Sequence, residues 1–193
     1  MTSPALVSVK VPAYNQERYL EACLDGILSQ KTTFPFEVVI GEDGSPDGTR
    51  GIAETYAQAH PDRVRLLPAE GNLGPARNLA RIRAACRGTY EAMCEGDDIW
   101  IHPHKLQRQL EFLESRPDYV FCFHDTLFCR EDKGVRPRYY CPRDLPESPT
   151  VADVLRRPAF IATSSILARR SFLDALPPWR TGVLCGDLVV RLW

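Results

Sequence analysis

Three carboxylates fall within four residues in Cys94-Glu95-Gly96-Asp97-Asp98, directly after a strand-like run over residues 89–94. No basic residue stands among them, so they repel one another unless a cation joins them. Hard oxygen donors suit Mg2+ or Mn2+, and Mg2+ is usually held by one or two carboxylates together with substrate phosphates. Gly96 permits a turn where a side chain would obstruct the backbone. The plainer reading is a solvated acidic turn that caps the helix beginning near Pro103. Other polar groups are weaker signals. His102-Pro103-His104 looks like a metal pair but lacks a third ligand at a telling spacing, and it reads as a solvated helix start. His124 reads as a hydrogen-bonded core histidine and Trp100 as packing. The pairs Arg156-Arg157 and Arg169-Arg170 read as solvated.

These residues need a scaffold, and hydrophobic periodicity supplies one. Residues 6–11 alternate apolar and polar as a strand that Pro12 ends. Leu20, Cys23, Leu24, Ile27 and Leu28 form a single helical stripe. A second strand covers 36–40 and closes in the loop Gly41-Glu42-Asp43-Gly44-Ser45-Pro46-Asp47-Gly48. Ile52, Ala53, Tyr56 and Ala57 mark a second helix, and 64–67 a third strand. A third helix starts near Pro75, with Leu79, Ile82 and Cys86 on its stripe. The first hundred residues thus read β-α-β-α-β-α-β with short connections, which implies parallel strands and right-handed crossovers. In such sheets ligands bind at the carboxyl ends of the strands, where the acidic stretch lies.

Beyond residue 100, Leu106, Leu110 and Leu113 predict a helix, and 119–128 a buried strand. Residues 131–149 carry four prolines without periodicity and read as a long functional loop. Short helices are expected over 151–156 and 171–176, flanking the semi-apolar stretch 161–168. Glu91 puts a charge in a strand expected to be buried, with no evident partner.

Composition narrows the classes. With 193 residues, 44% hydrophobic content and a net charge of −1, the chain reads as one globular domain without the basic stripe of a nucleic-acid binder. No run reaches the roughly 18 apolar residues of a membrane helix, and residues 1–4 do not open a signal peptide. Seven cysteines, several at apolar positions, favour a reducing, cytoplasmic setting over a disulfide framework.

Three separated motifs then coincide: Val11-Pro12-Ala13-Tyr14-Asn15, Glu42-Asp43-Gly44-Ser45-Pro46-Asp47-Gly48-Thr49 and Glu95-Gly96-Asp97-Asp98, with Asn72-Leu73-Gly74-Pro75-Ala76-Arg77-Asn78 before the third helix. Together they resemble family 2 glycosyltransferases of the GT-A fold, well over residues 5–125 and more weakly through Thr163-Ser164-Ser165 to Gly186-Asp187. The resemblance implies a Rossmann-like, doubly wound mixed α/β sheet with helices on both faces. It divides the single domain into a nucleotide-sugar-binding half, 1–100, and an acceptor-side half, 101–193, which ends short of the family's usual extent.

It also implies metal-dependent, inverting transfer of a sugar from a nucleoside diphosphate, UDP first among them, to an acceptor hydroxyl. Pro12, Ala13 and Tyr14 would line the base, with Tyr14 stacking on it, and Asp43 would accept from a base N–H such as that of uracil. Asp97 would hold Mn2+ or Mg2+, with Glu95 and Asp98 supporting the ribose or the metal shell. Asn72 belongs to the donor site, Arg77 would face the phosphates, and Asp187 would be the base that deprotonates the acceptor. The implied acceptor is a saccharide or lipid-linked saccharide of polysaccharide synthesis, with peripheral membrane contact and no nucleic-acid partner. Glu42 and Glu95 depart from the family's commoner Asp. Two other readings stay open: a nucleotide-sugar-binding module without transfer activity, and a nucleotidyltransferase, which would want a glycine-rich basic loop where Pro12–Asn15 stands.

Overall fold

The computed structural model describes residues 5–130, 135–157 and 160–176. Its centre is a six-stranded sheet in the order β3-β2-β1-β4-β8-β5. The strands are β1 (Val7–Ala13), β2 (Phe36–Glu42), β3 (Val64–Leu66), β4 (Tyr90–Met93), β5 (Phe121–Cys122) and β8 (Leu167–Arg169). The first four are parallel, and β8 enters antiparallel between β4 and β5. The expected βαβ series is therefore present, linked by α1 (Leu20–Leu28), α2 (Thr49–Ala59) and α3 (Pro75–Ala85), with Pro75 in the first turn of α3. Then follow α4 (Lys105–Ser115), a hairpin of β6 (Leu127–Arg130) and β7 (Val135–Tyr139), and the short helices α5 (Val151–Arg156) and α6 (Arg170–Ala175). No helix among the described residues is long and apolar enough to cross a membrane.

Alternation along the central strands sorts side chains between two layers. Val7, Val9, Val11, Val38 and Ile40 share a core with Leu20, Leu24 and Ile27 of α1 and Leu106, Leu110 and Leu113 of α4. Val39 points the other way, into a smaller cluster with Ile82 of α3. The polar members of β1, Ser8 and Lys10, are buried too, and each has a partner: Ser8 Oγ donates to Glu37 (2.7 Å), and Lys10 Nζ to Glu91 (2.9 Å). Helices therefore cover both faces, as a doubly wound sheet requires.

Several expectations need correcting. Pro12 does not end β1, which runs on to Ala13 in register with Glu42. Its carbonyl faces the β4 side and accepts from Gly96 N (3.2 Å), beyond the last β1–β4 pair, Lys10 with Met93. The ladder has already opened there, so the missing N–H leaves no neighbour unsatisfied. The strand expected over 119–128 splits, because β5 stays in the main sheet while β6 leaves it to pair with β7 inside the supposed loop. Asp125 Oδ1 fastens the base of that hairpin by accepting from Thr126, Tyr140 and Cys141 N (2.8, 3.2 and 2.8 Å).

Arg169 and Arg170 are fasteners rather than solvated residues, whereas Arg156 and Arg157 lie exposed, as expected. Arg169 donates to Tyr119 O, Tyr90 Oη and Leu113 O (3.0, 2.7 and 2.5 Å). Arg170 reaches Cys86 O (2.6 Å), and Arg157 grips Asp144 with two parallel bonds (2.8 and 2.9 Å). Glu91 gains its missing account here. Its fully buried carboxylate meets Lys10 at 2.9 Å, Arg83 at 3.5 Å and Arg170 at 3.8 Å. Arg170 arrives from the segment that brings in β8, so the pairing partner lies 79 positions downstream by its number and is invisible to periodicity.

Candidate functional site

The sheet order reverses at β1, whose neighbours β2 and β4 lie on opposite sides. A crevice at the carboxyl ends of the strands opens at such a point. The chain sends the three predicted motifs to this edge: Tyr14 and Asn15 follow β1, Asp43 follows β2, and Glu95 to Asp98 follow β4. The elements are pinned to one another. Asp43 N donates to Ala13 O (3.0 Å), Asn15 N to Ser45 Oγ (3.0 Å), Gln16 N to Thr49 Oγ1 (2.8 Å) and Gly48 N to Glu17 Oε2 (2.6 Å). Asn15 adopts a positive φ of 55°, which asparagine tolerates better than most residues.

Tyr14 is exposed at the rim, its ring free to receive a flat partner. Asp43 is buried, and its two oxygens accept from Leu73 N (2.8 Å) and Gly74 N (2.9 Å). It thus ties the β2 loop to the turn before α3, where Gly74 carries a φ of +81°. Asn72 Oδ1 joins the same turn by accepting from Gly74 N (3.1 Å). Arg77 is exposed on the first turn of α3, and Pro12 and Ala13 form the end of β1 beneath Tyr14. Asp187 lies outside the described residues.

The acidic turn carries the unusual electrostatics. Glu95 is half-buried, and loss of water, followed by the charges of Asp98 and Asp97, pushes its carboxyl up to about 8. Asp97 is raised as well, first by desolvation and also by Asp98. Among the described residues none of the three carboxylates has a cationic partner. Nor do three or more His, Cys, Asp or Glu side chains come together there to hold a metal ion unaided.

The turn rests on a packed floor. Trp100 is buried and donates from Nε1 to Ser164 O (3.1 Å), so its role is packing, as expected. Lys105 lies beneath it, with Nζ 4.0 Å from the centre of the Trp100 ring and 2.7 Å from Gln109 Oε1. Burial pushes that ammonium down to about 7. Cys23 and Cys94 meet at 3.7 Å as free thiols under the turn. His102 Nδ1 accepts from His104 N (3.1 Å) at the exposed start of α4, in keeping with a solvated helix start. His124 Nδ1 bonds to Asp125 O (2.7 Å).

Residues 8–176 match the family described as Glycosyl transferase family 2. The chain belongs to glycosyltransferase family 2. An uncharacterized Mycobacterium tuberculosis protein, Rv1520, is 37% identical over 164 residues, covering 85% of this chain and 47% of its own length. The putative teichuronic acid biosynthesis glycosyltransferase TuaG of Bacillus subtilis is 35% identical over 153 residues, covering 78% of this chain and 57% of its own. The chain thus spans about half the length of the curated relatives it matches.

Among solved structures, the mannosyltransferase PcManGT of Pyrobaculum calidifontis, in complex with GDP-Man and Mn2+, superposes with a TM-score of 0.68 at 20% identity. That match covers 97% of this chain and 52% of that one. TarS 1-349 of S. aureus, in complex with UDP-GlcNAc, gives 0.61 at 22% identity, covering 87% and 46%. These likenesses establish the GT-A fold for this family 2 domain.

Two residues escaped the sequence reading. Gln16 reaches across to Asp97, and Lys105 props Trp100. The polar Gln16 directly after the Tyr14-Asn15 motif was an available signal. Lys105 gave none, because a lysine at a helix start is ordinarily solvated.

Proposed function

We propose that this family 2 domain transfers a sugar from a nucleoside diphosphate donor to an acceptor hydroxyl. The observation that carries the reading is the acidic turn: three carboxylates without a cation, at the switch point where the β1 and β2 loops converge. Their donor set fits a hard divalent ion, Mn2+ or Mg2+. With fewer than three protein ligands converging, diphosphate oxygens and water would complete the shell, as Mg2+ sites commonly do. Asp97 would hold the ion, with Glu95 and Asp98 in support. When bound, it supplies positive charge to the leaving diphosphate.

The chain's own residues do the rest. Tyr14 stacks on the base, worth roughly 1–3 kcal/mol, above Pro12 and Ala13. Asp43 holds the β2 loop to the Asn72 turn and keeps lone-pair capacity for a base N–H, since a carboxylate has about four acceptor positions. Asn72 borders the donor, and Arg77 offers a charge to the phosphates. Asp187 takes the proton from the acceptor hydroxyl, and a single displacement with that base inverts the anomeric centre. The donor complexes of PcManGT and TarS support a nucleotide-sugar donor. UDP leads among nucleotides because Asp43 suits uracil. A saccharide or lipid-linked acceptor at the cytoplasmic face, with peripheral membrane contact, completes the reading.

Calorimetric titration with UDP, GDP, dTDP and CDP, with and without Mn2+, tests it. One nucleotide should bind tightly and only with metal. Absence of binding under every condition would remove the transferase reading.

A further inference from the structure

We propose that Gln16 is the positioning residue for Asp97, fixing that carboxylate for the cation before any ligand arrives. The proposal rests on the reading of Asp97 as the cation's ligand. Gln16 lies on the loop after β1, and its backbone is held independently of its side chain. Its N–H donates to Thr49 Oγ1 (2.8 Å), and its carbonyl accepts from Tyr19 N (3.0 Å) and Leu20 N (2.9 Å). The side chain is therefore free to serve another purpose, and it crosses the crevice. Its Nε2 donates to Asp97 Oδ1 at 3.2 Å, the one side-chain hydrogen bond Asp97 receives among the described residues. The orientation follows from chemistry, because an ionised carboxylate only accepts and the amide must turn its NH2 towards it. That bond takes one acceptor position on Oδ1 and leaves Oδ2 without a side-chain partner among the described residues, open to a cation.

Two further observations single out this contact. The opposite amide atom, Oε1, is buried without a hydrogen-bond partner among the described residues. A buried unpaired acceptor costs stability, so the fold gains little from placing the amide there. Gly96 makes room for it: a Cβ at that position would lie 2.1 Å from Gln16 Oε1. Gly96 does not have a positive φ, so its lack of a side chain is needed for this approach rather than for the turn. The pair Gln16 and Gly96 thus links the β1 motif to the acidic motif, and the benefit falls on Asp97.

The test compares Mn2+ affinity, read from the electron paramagnetic resonance of free Mn2+ in the presence of whichever nucleotide the wild type binds, with melting temperature. Gln16→Met keeps the length of the side chain and removes both polar atoms. It should weaken Mn2+ binding about tenfold, the scale of a lost hydrogen bond to a charged group, and leave the melting temperature unchanged or higher. Gly96→Ala should reproduce the loss by crowding the amide, and adding it to Gln16→Ala should cost little more. Unchanged Mn2+ affinity in Gln16→Met, a lowered melting temperature that accounts for the loss, or additive losses in the double variant would each overturn the assignment. A wild type that binds neither Mn2+ nor nucleotide would instead overturn the reading of Asp97, and this proposal with it.

Discussion

Glu91 and Glu95 lie four residues apart on the same strand and its following turn, yet the protein treats their charges in opposite ways. Glu91 is fully buried in the sheet and is met by Lys10, Arg83 and Arg170. Glu95 is only half-buried, has no cationic partner among the described residues, and faces Asp97 and Asp98 instead. A fold under selection for stability alone would supply the second cluster as it supplies the first. Leaving it short of positive charge raises the energy of the empty site and lowers that of the cation-bound one. On the proposed reading, the difference separates charge used for architecture from charge kept for a ligand.

The sharpest way to break this comparison is Glu91→Ala. It strands Lys10 in the core and leaves Arg83 and Arg170 with only the exposed Asp174, and removing one partner of a buried pair costs about 3–5 kcal/mol. Urea denaturation should show that loss. A cost under about 1 kcal/mol would mean the cluster is solvated and the contrast false. Asp97→Asn should behave in the opposite way. Thermal melting should hold or rise, while Mn2+-dependent nucleotide affinity falls by about two decades, about 3 kcal/mol. An unaltered titration would return the acidic turn to the status of a helix cap.

Tyr14→Ala should weaken every nucleotide sharing the base by one factor, worth about 1–3 kcal/mol. A loss confined to one sugar would contradict stacking. A fourth test is in pH. The folded chain holds a proton on Glu95 up to about 8, whereas the ordinary value is 4.5. Folding therefore favours the protonated form, and that share of stability is complete below about 4.5 and lost as pH rises towards 8. Without metal, wild type minus Glu95→Gln should show stability falling across this window, and Mn2+ should flatten the slope. Lys105, held down to about 7, acts in the reverse sense at higher pH and cancels in the difference.

The parallel half was legible because its signals are local. Leu20, Cys23, Leu24 and Ile27 form one buried stripe by spacing alone, and Pro75 announces the start of α3. The three motifs were legible as strand-end loops, and the sheet brings them to one edge. What escaped depends on partners distant in sequence. β8 is three residues long and owes its strand conformation to β4 and β5 rather than to its own composition. The hairpin was masked by Pro137, which a two-stranded edge tolerates. Arg169 looked solvated because its acceptors, Tyr119 O and Leu113 O, are carbonyls that any residue type would present. Gln16 looked like an ordinary loop residue because the residue it serves, Asp97, lies in another motif.

The late insertion of β8 also has a consequence for synthesis. β4 is hydrogen-bonded to β1 on one side, and its other side stays open until residues 167–169 arrive. During translation, at about 5–20 residues per second, the nascent chain therefore carries β4 as an unpaired edge for several seconds after its other neighbour is in place. That edge holds Glu91, whose charge lacks Arg170 for the same interval. Glu91, paired by then only with Lys10 and Arg83, keeps charge on that edge, and charge on an edge strand discourages another chain from pairing there. The residue that anchors the finished core thus also serves, while the chain is still emerging, as a guard against aggregation.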